Sequence, residues 1–428
     1  MKIRAITIGQ NIPILSQNIK LETFMRDKLQ GFSNFNRELT ENFRSLGIEV
    51  QTKRFCSQPI ISYEHPAVEQ NLNQTILTLH DQFTLIEYLI SNFGFDYFAC
   101  CTVLADQHID KYGIYEKILL AEVPSFILRK EKFFTSLHAA SSQNGINLSA
   151  LRSGAKIIKK LSNPDPFNNL HFCVSSNVKP DTPFFPAAYH VSEKPAFSLA
   201  LEMADEVVNV FEQSKNITDA QINLKERFNE IYDMLMDVTG NIGNKYGIDF
   251  HGIDFTPAPY PTIPKSIGTA FEKLNYEYFG APGSLLGVAL IKNAIPQKEK
   301  IIGFSGFMPS VLEDYTISKS LSENNFNLDT LLLYSTMCGT GLDCVPLPGD
   351  ITEQELFYIL LDICTISLRL NKPLTARLMP IPGKVAGDDV EFDFEYFAPS
   401  KIMNIRRLAG VNKNDIFHRK EKSFKFLK

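Results

Sequence analysis

The chain has 428 residues, 44% hydrophobic and 21% charged, with a formal net charge of -5. That length predicts a large α/β body or two domains rather than one small core. The acidic balance provides no basic face for nucleic acid, and no window reaches the roughly 18 consecutive apolar residues of a membrane span.

Strands and helices alternate from end to end. The opening MKIRAITIG reads as a period-two strand from Lys2 to Gly9 and lacks the charged and apolar regions of a leader, so a cytoplasmic protein is expected. A helical stretch over 19–46 ends at Gly47, and Ile48–Phe55 is a second strand. Asn71–Phe93 is a helix stopped by Gly94, followed by a strand from Tyr97 to Val103. Helix Leu148–Leu161 leads into strand Leu170–Val174, and helix Ile222–Tyr246 into strand Ile248–Phe255. Ser284–Ile295 is helical, Ile301–Phe304 a strand, and Asn327–Met337 a helix with Gly339 as its stop. Thr352–Leu370 is the clearest helix: Thr352 and Glu355 make a capping box, and Leu356, Ile359, Leu360, Ile363, Ile366 and Leu370 form one stripe. This alternation predicts a mostly parallel sheet wrapped by helices in a single α/β domain over 1–428, with 412–428 as a mobile basic tail. The stretch Thr256–Pro264 (TPAPYPTIP) reads as a rigid surface loop or a linker.

The unusual chemistry lies in three loops: GFSGFMPSVLED (Gly303–Asp314), CGTGLDCVPLPGD (Cys338–Asp350) and LTARLMPIPGKVAGD (Leu374–Asp388). Gly306, Gly339 and Gly341 are candidates for bare amides that converge on an anion. Arg377 offers a planar fork, and Lys384 a point charge. Asp343 suits acid–base work and Cys338 nucleophilic work. The competing readings are plain ones: Gly339 ends a helix, Asp350 caps the next, Cys338 fills a core, and Arg377 pairs with Glu313, Asp314 or Asp343. Upstream, His190 closes the aromatic loop FFPAAYH, as acid, base or ligand, or else as packing with Tyr189. Arg152 follows the polar turn at Ser141 and joins the candidate binding set.

Glu313, Asp314, Asp343, Asp350 and Asp388 are oxygen ligands that suit magnesium or calcium, unless they cap helices and pair with Arg377 and Lys384. The seven cysteines are scattered, so neither a disulfide framework nor a structural zinc site is expected. The 33 phenylalanines suggest a self-interface and a homodimer. The partner implied by the loops is a small-molecule ligand.

The three loops, with Ser142–Leu161, Pro183–His190 and Phe279–Leu290, resemble domain-of-unknown-function family 711 over most of the chain. The resemblance implies the pyruvate-formate-lyase-like fold: a barrel-like sheet of about ten strands in two parallel halves, with outer helices. Glycyl-radical enzymes of that fold carry an Arg-Val-Ser/Ala-Gly-Tyr-type loop. Here the nearest string is RRLAGV (Arg406–Val411), without the tyrosine, so no glycyl radical is expected. Fold alone assigns no chemistry. The residues leave two functions open, an enzyme acting on a small polar or anionic metabolite and a non-catalytic metabolite-binding regulator.

Overall fold

The computed structural model describes residues 1–59, 71–100, 102–107, 116, 122–337, 339–408 and 421–427. The strands are β1 (Lys2–Gly9), β2 (Val50–Cys56), β3 (Tyr97–Ala99), β4 (Val103–Leu104), β5 (Phe133–Ser141), β6 (Gly145–Asn147), β7 (Phe172–Ser176) and β8 (Ala196–Glu202). They continue with β9 (Asp249–Ala258), β10 (Ile301–Ile302), β11 (Gly341–Pro348), β12 (Leu374–Ile381), β13 (Asp389–Val390), β14 (Ser400–Lys401) and β15 (Ser423–Phe424).

Thirteen of these form one mixed sheet, whose main path runs β10-β9-β8-β1-β2-β3-β5-β7-β12-β11. Strands β1, β2, β3, β5 and β7 are mutually parallel. β8 runs antiparallel to β1 and β12 antiparallel to β7, while β8, β9 and β10 are parallel, as are β11 and β12. Strand pairing does not close this sheet into the expected barrel. The segment that leaves β10 reaches the far edge at a single bridge, Ser310 to Asp343. Gly303 and Ser305 have φ of 65° and 39° there, angles that break a continuous ladder.

One face of the sheet is covered by helices, including Asn18–Ser45, Leu148–Leu161, Ile217–Thr239 and Glu353–Leu370. Phe35, Phe43, Phe55, Phe228 and Leu360 fill that layer. A second cluster lies on the opposite, inner face, with Cys56, Phe134, Phe185, Cys344 and Met379. A sheet buried on both sides explains why β5 shows no alternation to betray it in the sequence.

The last helix forms as its sequence predicts: the Thr352 hydroxyl accepts from Glu355 N and the Glu355 carboxylate from Thr352 N. Asp350 is therefore not its cap and instead binds Arg407. Phenylalanine is used internally; Phe424 is the exposed one among the described residues, so its abundance does not argue for a self-interface. Residues 421–427 are held: β15 pairs with β6, and Leu148 N donates to Lys422 O. Among the described residues no helix is long and apolar enough to cross a membrane.

Candidate functional site

Alternation along a strand decides which charges meet. On β2, Phe55 faces the helices, so Thr52, Arg54 and Cys56 face inward. By the same period, Asp254 and Thr256 on β9 and Arg377 on β12 face inward, while Ile253, Phe255 and Leu378 pack outward. Arg4 reaches the same space from β1. Together they line a cavity of about 80 Å³. Its remaining walls are largely apolar, among them Tyr97, Phe134, Phe184, Phe185 and Phe394.

A bulge in β11 builds the first ion pair. Leu342 lies opposite Ala376 and Val345 opposite Leu378, so Asp343 and Cys344 together face Arg377. Cys344 takes φ of 45° to allow this. Arg377 then binds Asp343 in a fork, Nε to Oδ1 at 2.6 Å and Nη2 to Oδ2 at 2.9 Å. Burial works against the Arg377 charge, but Asp343 foremost holds its pKa well above the ordinary value.

Arg4 donates from Nη2 to Glu313 Oε1 at 2.9 Å and from Nη1 to Pro259 O at 2.9 Å. Burial pushes the Glu313 carboxyl up, but Arg4 and then Arg377 more than offset it, and its pKa falls. The Ser310 hydroxyl favours that charge too, yet neither it nor Glu313 Oε2 makes a geometrically sound hydrogen bond.

Arg54 differs from both. Its Nε donates to Thr52 Oγ1 at 2.9 Å, and its guanidinium lies 5.2 Å from the Phe185 ring centre and 5.7 Å from that of Tyr97. It has no carboxylate within 4.0 Å among the described residues. Burial, with Arg4 adding to it, lowers its pKa to about 10. Asp254 is the titratable acid of the cavity. It accepts from Phe304 N, Ser305 N and the Thr256 hydroxyl, and burial still raises its pKa. The turn at Gly303 wraps this carboxylate so closely that a Cβ there would lie 2.3 Å from Oδ2.

Residues 1–400 match the family profile described as Uncharacterised ACR (DUF711). The chain belongs to the DUF711 family. It is 26% identical over 410 residues to a UPF0210 protein of Pyrobaculum arsenaticum, covering 91% of this chain and 87% of that one. A UPF0210 protein of Lactobacillus helveticus is 26% identical over 414 residues, with 92% and 88% covered. One of Acetivibrio thermocellus is 25% identical over 410 residues, with 92% and 88% covered.

In this DUF711 chain the three glycine loops do not gather at one mouth. Gly339 does meet Gly306, at a separation where a Cβ would lie 3.0 Å from its Cα. Gly383 and Lys384, however, follow the far end of β12, about 23 Å from the start of that strand pair at the usual rise per residue. Gly341 belongs to β11 itself, where a Cβ would lie 2.5 Å from Thr375 O, so it serves strand packing rather than an anion nest. Arg152 sits in the helix Leu148–Leu161 and stacks on Phe357 at 5.5 Å, outside the cavity lining. Cys338 lies outside the described residues.

The five candidate metal ligands are likewise dispersed. Asp314 caps the helix Tyr315–Ser322 and accepts from Ile267 N and Gly268 N. Asp350 binds Arg407, and Asp388 accepts from Val385 N in an exposed turn. Glu313 and Asp343 do come together, with Cys344, within 4.8 Å. The set suits a cation poorly, because Arg377 already holds Asp343, Arg4 holds Glu313, and burial keeps the Cys344 thiol protonated.

His190 is fully buried beneath Gly9 and away from the cavity lining. Its Nδ1 lies 2.6 Å from Asp181 Oδ1, and Nε2 donates to Lys194 O at 3.0 Å. The other Asp181 oxygen lies 2.8 Å from Nδ1 of His251, on β9. The hydrogen bond that its Nδ1 donates to Asp181 raises the His251 pKa above the usual value of about 6.5, against partial burial. A raised folded pKa stabilises the protein fully below the unfolded value and loses that contribution as pH rises through the folded one. The melting temperature of the wild type is therefore expected to decline above pH ~6.5 relative to His251→Gln. Parallel curves for the two proteins from pH 6 to 9 would refute this.

Proposed function

We propose that this DUF711 chain is an enzyme that binds a small polar metabolite with an anionic group in the inner cavity, with Arg54 as its counter-charge. The observation that carries the reading is a half-buried guanidinium that faces a cavity and lacks a carboxylate partner among the described residues. Buried charges normally have partners, and a ligand anion supplies the missing one. Asp254 favours turnover over mere sensing: a desolvated carboxyl with a raised pKa at a cavity wall is suited to general acid–base work. The two parallel strand sets, antiparallel to each other, support a pyruvate-formate-lyase-like scaffold for the cavity. A reducing compartment fits the five described cysteines, all free thiols.

Thermal-shift screening of the purified chain against metabolites, followed by turnover assays of the hits, tests the proposal. Asp254→Asn is expected to keep ligand binding and to lose turnover by about 10²–10⁴-fold. Unchanged turnover would remove Asp254 from the reaction, and hits indifferent to substitution of Arg54 would refute the site.

A further inference from the structure

Building on that reading, we infer that the cavity takes a zwitterionic α-amino acid with an apolar side chain: carboxylate on Arg54, ammonium on Glu313, and side chain against the aromatic wall. Three features of the site support this assignment.

The first is the number of open donors and acceptors. Arg54 spends Nε on Thr52, and its two terminal nitrogens make no hydrogen bond among the described residues. A guanidinium with two open nitrogens matches the two oxygens of one carboxylate. On the acceptor side, Glu313 is 4% exposed and its Oε2 makes no hydrogen bond among the described residues. A buried carboxylate oxygen left unpaired is costly, and an ammonium N–H satisfies it. The other charged groups are committed: Arg377 to Asp343, Arg4 to Glu313 and Pro259, Asp254 to two amides and a hydroxyl.

The second is charge balance. Arg4, Arg54 and Arg377 stand against Asp254, Glu313 and Asp343, three formal charges of each sign. A phosphate dianion would bring its third oxygen and second charge against Glu313 and Asp254 without a further free cation. A zwitterion adds one charge of each sign and leaves the site neutral, the arrangement a low-dielectric interior tolerates best.

The third is wall chemistry, which favours a ligand with an apolar side chain over a wholly polar one. Leu170, Phe134, Phe184 and Met308 supply the apolar surface that such a side chain requires.

Calorimetric titration of the full chain with matched probes tests the assignment. The probes are L-leucine, L-phenylalanine, 4-methylpentanoate (leucine without its amine), isoamylamine (leucine without its carboxylate) and inorganic phosphate. One of the two amino acids is expected to bind at least tenfold more tightly than 4-methylpentanoate, isoamylamine and phosphate. Glu313→Gln, with its fold checked by circular dichroism, is expected to shrink the gap between that amino acid and 4-methylpentanoate to less than threefold. If 4-methylpentanoate binds the wild type as well as leucine does, the amino-acid assignment fails while the anion site at Arg54 stands. Tighter binding of phosphate also overturns the assignment. If neither amino acid binds, the assignment fails, and the broader reading then rests on the metabolite screen and its dependence on Arg54. Should Glu313→Gln not fold, the wild-type panel alone still decides.

Discussion

Arg377→Ala is expected to destabilise the protein by about 3–5 kcal/mol, the usual consequence of removing one partner from a buried ion pair. Asp343 has no exposure and Arg377 only 4%, so the carboxylate left behind can neither reach water nor find another fork. Arg4 is committed to Glu313, which itself leans on Arg377 at 3.7 Å. Replacing both members together, as Arg377→Met with Asp343→Leu, is expected to be much milder, because no charge is then stranded. Urea unfolding of the three proteins gives the comparison. A loss below 1 kcal/mol for Arg377→Ala, or equal losses for single and double variants, would show that the pair does not hold this edge of the sheet.

Arg54→Met is expected to behave in the opposite way. This guanidinium loses only a hydrogen bond to Thr52 and its ring contacts, and its neighbour Arg4 is relieved of a like charge. Stability should stay within about 1 kcal/mol of the wild type. Affinity for the ligand should fall by about 2–5 kcal/mol, roughly 30-fold to several thousand-fold, since a charge–charge contact inside the cavity is lost. Arg54→Lys should recover only part of it, because a point charge cannot reproduce the fork. The screen's hits, titrated against all three proteins, provide the measurement. A strong drop in stability with unchanged affinity would make Arg54 a structural residue and remove the proposed site.

These two arginines show why the loops drew attention in the sequence and the strands did not. The glycines of Gly303–Asp314 and Cys338–Asp350 stand out by composition, yet two of them serve close backbone approach: Gly339 against Gly306, and Gly341 against Thr375. The stretch Gly341–Pro348 reads as a loop because of Pro346 and Pro348, but it is an edge strand, where a missing N–H is tolerated. Of the residues singled out from sequence, Arg377 and Glu313 come together in the cavity lining, with Asp343 behind Arg377. Of the cavity residues outside the loops, Arg4 carries a visible signal, a charge inside the largely apolar run IRAITIG, whereas Arg54 follows Gln51, Thr52 and Lys53 and Asp254 shares its strand with Asp249 and His251.

What the sequence by itself determined is local. The capping box at Thr352, the stripe of the helix it starts, the strand at Lys2–Gly9 and the alternation of strand and helix all depend on neighbours a few residues apart. Only the tertiary structure decided which charges meet. Arg4 and Glu313 are separated by 309 residues in sequence, and Arg377 faces Asp343 because a one-residue bulge in β11 turns it there. Strand order, register and bulges are set by packing across the whole sheet. The energy of a buried ion pair depends on that placement, which no local pattern encodes.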